Sequence, residues 1–83
     1  MPVRIDYKAS VEKDLKKIGM PHATRVMNKL EKILSEDPNK GEPLKGKYKG
    51  MLKLRVGDYR VIYLKTKTGV LILRIRHRGK AYR

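Results

Sequence analysis

The sequence predicts an α+β fold: an N-terminal strand, a two-helix hairpin, then a three-stranded antiparallel meander, with both helices packed on one face of the sheet. Three observations carry that expectation. Apolar residues alternate with period two over Val3–Tyr7, recur at helical spacing from Val11 to Leu34, and return to period two from Met51 onward. The 83 residues predict one domain spanning 1–83, with a modest core from the 40% of apolar positions. Phe and Trp are absent, so that core is expected from Val, Ile, Leu and Met with some of the five tyrosines.

The elements follow in order. Val3-Arg4-Ile5-Asp6-Tyr7 reads as a strand. Ser10 is expected to cap the first helix, with Glu12 near the positive end of its dipole and Val11, Leu15 and Ile18 on its apolar face. Gly19 stops it, and Pro21 suits the first turn of the second helix. That helix buries Ala23, Val26, Met27, Leu30, Ile33 and Leu34 on one stripe. Asp37-Pro38 ends it, because the residue before a proline avoids helical angles. Pro38 to Pro43 is expected as a short loop.

In the meander, Leu52, Leu54 and Val56 alternate with Met51, Lys53 and Arg55. Gly57-Asp58 closes a tight hairpin onto the return strand Tyr59–Lys65, whose Tyr59, Val61 and Tyr63 point to the core. Lys67-Thr68-Gly69 turns the chain into Val70–His77. There Leu71, Leu73 and Ile75 are expected on the core face, with Arg74, Arg76 and the following Arg78 opposite. This parity leaves one sheet face uncovered and basic, gathering Lys53, Arg55, Arg74 and Arg76. A single bulge would break it.

Charge narrows the function. The chain carries +14, from 22 Lys/Arg against eight Asp/Glu. Residues 1–42 hold nine basic and seven acidic groups, while 43–83 hold thirteen basic groups and one acid, Asp58. A half-chain of that charge repels itself, and its natural partner is a polyanion, nucleic acid first. Without cysteine, disulfide scaffolds and cysteine-bearing zinc sites are excluded. Apolar runs reach only four residues, so no membrane partner is expected; the N-terminus has no apolar signal region, and a cytoplasmic location is expected.

No phosphate-binding glycine loop, no Ser-His-Asp set and no carboxylate cluster for magnesium stands in 43–83, and no cofactor or metal is expected. His22 is expected to be exposed, and His77 to end a basic strand. Cleavage of RNA is compatible with this composition. The ribose 2′-hydroxyl attacks the adjacent phosphorus, a base takes its proton, cations stabilise the phosphoryl oxygens, and an acid protonates the departing 5′-oxygen. A lysine crowded by other cations loses proton affinity and becomes a feasible base. Tyrosines among the cations could stack on unpaired bases; Tyr48, Tyr59, Tyr63 and Tyr82 all fall in the basic half, with Tyr59 and Tyr63 assigned rather to the core.

The segment Leu52-Lys53-Leu54-Arg55-Val56-Gly57-Asp58-Tyr59-Arg60-Val61-Ile62-Tyr63, followed by a strand ending His77-Arg78-Gly79-Lys80-Ala81-Tyr82-Arg83, closely resembles the RelE branch of the RelE/ParE toxin superfamily. The resemblance implies the toxin of a toxin–antitoxin pair that cuts messenger RNA on the ribosome without metal and is held by a RelB-like antitoxin in a hetero-oligomer. It implies a role for Lys53 as base or phosphate stabiliser, for Arg60 at the transition state, for Arg78 near the leaving oxygen and for Tyr82 in orienting substrate. Lys49, Arg55, Arg74, Arg76, His77 and Lys80 are expected to contact RNA. Met51 stands where well-studied members carry a second lysine. A related branch pairs a glutamate base with a histidine acid, and 43–83 offers no glutamate to His77. Two alternatives remain: a ParE-like inhibitor of DNA gyrase, and a basic RNA- or DNA-binding module without chemistry.

Overall fold

The computed structural model describes residues 3–77 of the chain. The elements are β1 (Arg4–Tyr7), α1 (Ala9–Ile18), α2 (His22–Glu36), β2 (Glu42–Pro43), a 3-10 turn (Gly46–Tyr48), β3 (Met51–Val56), β4 (Tyr59–Lys65) and β5 (Gly69–His77). The strands form one sheet in the order β1-β5-β4-β3-β2. β1 runs parallel to β5, and every other pairing is antiparallel. The expected strand–helix–helix–meander order stands, with an addition. The 38–43 segment, expected as a loop, pairs Glu42 with Lys53 and Pro43 with Leu52 to make β2. Proline is tolerated there because β2 is an edge strand.

Both helices cover one face. Leu30 and Leu34 of α2 and Val11 of α1 meet Leu54, Val56, Val61, Tyr63, Val70, Ile72 and Ile75 in a single buried cluster. α1 ends as expected at Gly19, which takes φ 79° and returns its N–H to the Leu15 carbonyl at 2.9 Å. α2 ends at Asp37, whose backbone is extended. His22, at its start, is exposed. Ser10 is not the cap of α1. That position falls to Lys8, and the Ser10 hydroxyl instead donates to the Leu73 carbonyl at 2.8 Å.

β5 departs from strict alternation. Tyr63 pairs with Ile72 but Ile62 with Arg74, so Leu73 is an extra residue and the strand bulges. The core face of β5 is therefore Val70, Ile72 and, past the bulge, Ile75. Leu71 and Leu73, expected in the core, are only half-buried, and Leu71 pairs with Leu64 on the other face. β1 stops at Tyr7, opposite Ile72, which would leave the rest of this β5 edge unpaired. α1 fills the gap: Ser10 binds the Leu73 carbonyl, and the Asp14 carboxylate accepts the Ile75 N–H at 3.0 Å. Where β1 does pair, Gly69 is required by close approach, since a Cβ there would lie 1.9 Å from the Arg4 carbonyl oxygen. Among the described residues no helix is long and apolar enough to cross a membrane.

Candidate nucleic-acid interface

The sheet face away from the helices carries the cations, in rows set by strand register. Arg55 of β3 pairs with Arg60 of β4, and Arg60 with Arg76 of β5, giving three arginines abreast. Like charges directly opposite each other across strands are destabilising. The apolar packing beneath, at Leu54, Val56, Val61 and Ile75, holds them in place. The neighbouring row is Lys53, Ile62 and Arg74.

An open cleft of about 250 Å³ lies at the β2 end of these rows, lined by Glu42, Lys53, Arg55, Tyr59 and Arg60. Lys53 and Arg55, expected on one face, line it together, and so does Arg60, singled out by the family resemblance. Arg76 extends the arginine row and is exposed. His77 stands edge-on to the ring of Tyr59, with centroids 5.2 Å apart and planes at 83°. Lys49 is exposed beside the 3-10 turn and does not line the cleft. Arg78, Lys80 and Tyr82 lie outside the described residues.

Arg74 corrects the expected basic face. Its guanidinium donates twice to Asp14, from Nε to Oδ2 and from Nη2 to Oδ1, both at 3.0 Å. Asp14 is 5% exposed, so this cation is committed to the α1–β5 junction and is not a free member of the cluster. Arg74 directly follows Leu73, the extra residue of the β5 bulge, on the strand edge that α1 covers.

Glu42 is not legible in the sequence as part of the site. It lies one position before the strongly basic half of the chain, and β2 is too short to announce itself by alternation. Only the pairing with Lys53 reveals it. Tyr63 fixes that segment. Its buried hydroxyl donates to the Pro38 carbonyl and accepts the Gly41 N–H, both at 2.9 Å. Gly41 lies flush on the ring, where a Cβ would come within 2.7 Å of the phenol oxygen. Burial, above all, raises the Tyr63 phenol pKa. Tyr63 is a prop for Glu42 and, as expected, no platform for a base. On β1, Tyr7 donates to Glu31 of α2 at 2.5 Å, and burial, then this carboxylate, drive its pKa well above the usual phenol value.

Known proteins share this fold. A family model described as the ParE toxin of the type II toxin-antitoxin system, parDE, matches residues 5–82. The toxin–antitoxin complex RelBE2 of Mycobacterium tuberculosis contains a chain 30% identical, with TM-score 0.86 over 94% of this chain and 100% of that one. A chain of the archaeal RelE–RelB complex of Pyrococcus horikoshii is 28% identical, with TM-score 0.69, covering 96% of this chain and 99% of that one. A chain of the DinJ–YafQ complex of E. coli shares the fold at 21% identity, with TM-score 0.72 over 100% of both chains. Among curated protein sequences none matches.

Proposed function

The chain belongs to the RelE/ParE superfamily of toxins from type II toxin–antitoxin systems, and we propose that within it this protein is an endoribonuclease that cuts messenger RNA on the ribosome. The observation that carries the reading is the row Arg55–Arg60–Arg76 beside Lys53 on an uncovered sheet face. Self-repelling cations set abreast are suited to a phosphate backbone, and planar guanidinium groups bind its oxygens in pairs.

The chemistry follows from the groups present. The 2′-oxygen bonds to phosphorus, the bond to the 5′-oxygen breaks, that oxygen takes a proton from solvent, and the products are a 2′,3′-cyclic phosphate and a 5′-hydroxyl. Glu42, the one carboxylate among the described residues that lines the cleft, is assigned the 2′-hydroxyl proton, and Lys53, its register partner, the phosphate. Arg60 and Arg55 stabilise the charge that develops on the phosphoryl oxygens, where fixed cations in a cleft act most strongly. Arg78 near the leaving oxygen and Tyr82 against the substrate complete the assignment on family resemblance. A co-expressed antitoxin is the expected inhibitor, as the complexes of its relatives suggest.

Translating ribosomes incubated with the protein should yield messages ending in 2′,3′-cyclic phosphate, and a deoxyribose at the scissile position should block the cut. Cleavage that survives the deoxyribose would rule out this nucleophile. The matching family model is described as a ParE toxin, which favours a second reading, a ParE-like toxin, for which the family resemblance implies inhibition of DNA gyrase. Loss of supercoiling activity with intact messages would select it.

A further inference from the structure

The loop between β2 and β3 has a form that the cleft does not explain. Leu44 and Met51 close it with an N–H···O bond of 2.9 Å, and Lys49 closes the inner turn onto Gly46 at 3.1 Å. Gly46 and Gly50 frame it at φ 68° and 94°, so the backbone path is defined on both sides of the tip. At that tip stands Tyr48, 47% exposed, an aromatic ring on the surface where nothing in the core needs it. Lys45, Lys47 and Lys49 surround it, all exposed, and no acidic residue occurs between Glu42 and Asp58. The Lys47 ammonium lies 5.3 Å from the ring centroid, over one face. Both strands that carry the loop also line the cleft, through Glu42 and Lys53.

We propose that this loop is a second RNA-binding element, in which Tyr48 stacks on an unpaired base beside the scissile site while Lys45, Lys47 and Lys49 hold the flanking phosphates. The proposal rests on the endoribonuclease reading and adds a binding site to it. Each base presents a π-face, so a tyrosine platform takes any base, and lysines are point charges that follow a flexible backbone. A cation on one face of the ring adds to its affinity for a polyanion without hindering a stack on the other. The element is built for single strands, since a paired base offers no free face.

The test is fluorescence anisotropy with a 5′-labelled single-stranded oligoribonucleotide bearing 2′-O-methyl riboses, which binds but cannot be cut. Tyr48→Ala should weaken binding by roughly 5- to 150-fold, the range of one base stack. Tyr48→Phe should bind as the wild type does, because the ring and not the hydroxyl is used. The double variant Lys45→Ala/Lys47→Ala should lower the salt slope by about 0.7 for each phosphate it no longer neutralises, a change Tyr48→Ala should not make. Unchanged binding in Tyr48→Ala, or equal losses in Tyr48→Phe and Tyr48→Ala, overturns the stacking role. If Tyr48→Ala instead keeps RNA affinity and loses a co-purifying antitoxin, the loop is a protein interface and the proposal falls. A wild-type chain that binds no oligoribonucleotide overturns this proposal alone, and the endoribonuclease reading falls separately, if translating ribosomes yield no 2′,3′-cyclic phosphate ends.

Discussion

On one side of β3 and β4, Leu54, Val56, Val61 and Tyr63 are buried under two helices; on the other side of the same strands, Lys53, Arg55 and Arg60 line an open cleft. The two faces are one residue apart along the chain and differ in what holds them. The helix side is held by its own packing. The open side sets three arginines against one another across adjacent strands, an arrangement that opposes folding. Apolar packing and the cationic cleft are thus separated by the pleat, so substitutions on alternate residues of one strand should act on different properties.

The largest effect should come from the covered face. Leu30 is fully buried, and Leu30→Ala should cost about 2–5 kcal/mol in denaturant unfolding, a large share of the stability of a small domain. A loss below about 1 kcal/mol would mean that the helices are not the main support of the sheet. Next, Arg60→Ala should slow message cleavage by about 10²- to 10³-fold, the usual cost of removing one transition-state stabiliser. Its unfolding midpoint should move far less than that of Leu30→Ala, because no member of the buried cluster goes with it. A cleavage-dead Arg60→Ala that also unfolds easily would break the separation of faces.

Asp14→Asn sharpens the boundary between the two regions. Asp14 is buried but Arg74 is 40% exposed, so solvent screening keeps the ion pair modest and the expected cost is about 1–3 kcal/mol. Arg74, released, should then join the open face and steepen the salt dependence of single-stranded RNA binding by about 0.7. An unchanged slope would show that the bulge and not the carboxylate keeps Arg74 from the site.

The smallest effect is a pH dependence confined to the helix side, where Tyr7 and Tyr63 have raised phenol pKa values. Each binds its proton more tightly folded than unfolded. Their contribution is fully present below the ordinary phenol pKa and is lost as pH rises beyond it. Thermal midpoints should therefore fall above about pH 10, the phenol reference, and Tyr7→Phe should flatten that fall. Identical curves for the two proteins would remove Tyr7 from the account.

Much of this was legible in the sequence because local rules govern it. The helical stripe of α2, the stop at Gly19 and the alternation of β3 and β4 each follow from neighbours in the chain. What was not legible depends on partners far away. Ser10 looks like a cap but binds a carbonyl of β5, and Glu42 becomes part of a site only through Lys53. The bulge at Leu73 shifts the register of β5, so that Val70 and Ile72 take the core places expected of Leu71 and Leu73, and Arg74 binds Asp14. Alternation cannot foresee an inserted residue in a strand whose positions from Val70 to Arg76 are all apolar or long and basic.

The pairing of β1 with β5 has a consequence for the order of assembly during synthesis. Chains emerge N-terminus first, so β5, which β1 and β4 flank, follows every other strand of the sheet out of the ribosome. It supplies Val70, Ile72 and Ile75 to the core and the edge that α1 covers. Pairing of distant segments is slow relative to local contacts, because loop closure precedes any gain. The nascent chain therefore has helices and a hairpin but no closed core until β5 is free. The row of Arg55, Arg60 and Arg76 is likewise incomplete until that strand has been released. A chain ending at Thr68 should melt without a cooperative transition, and a sharp one would show that the core closes without β5.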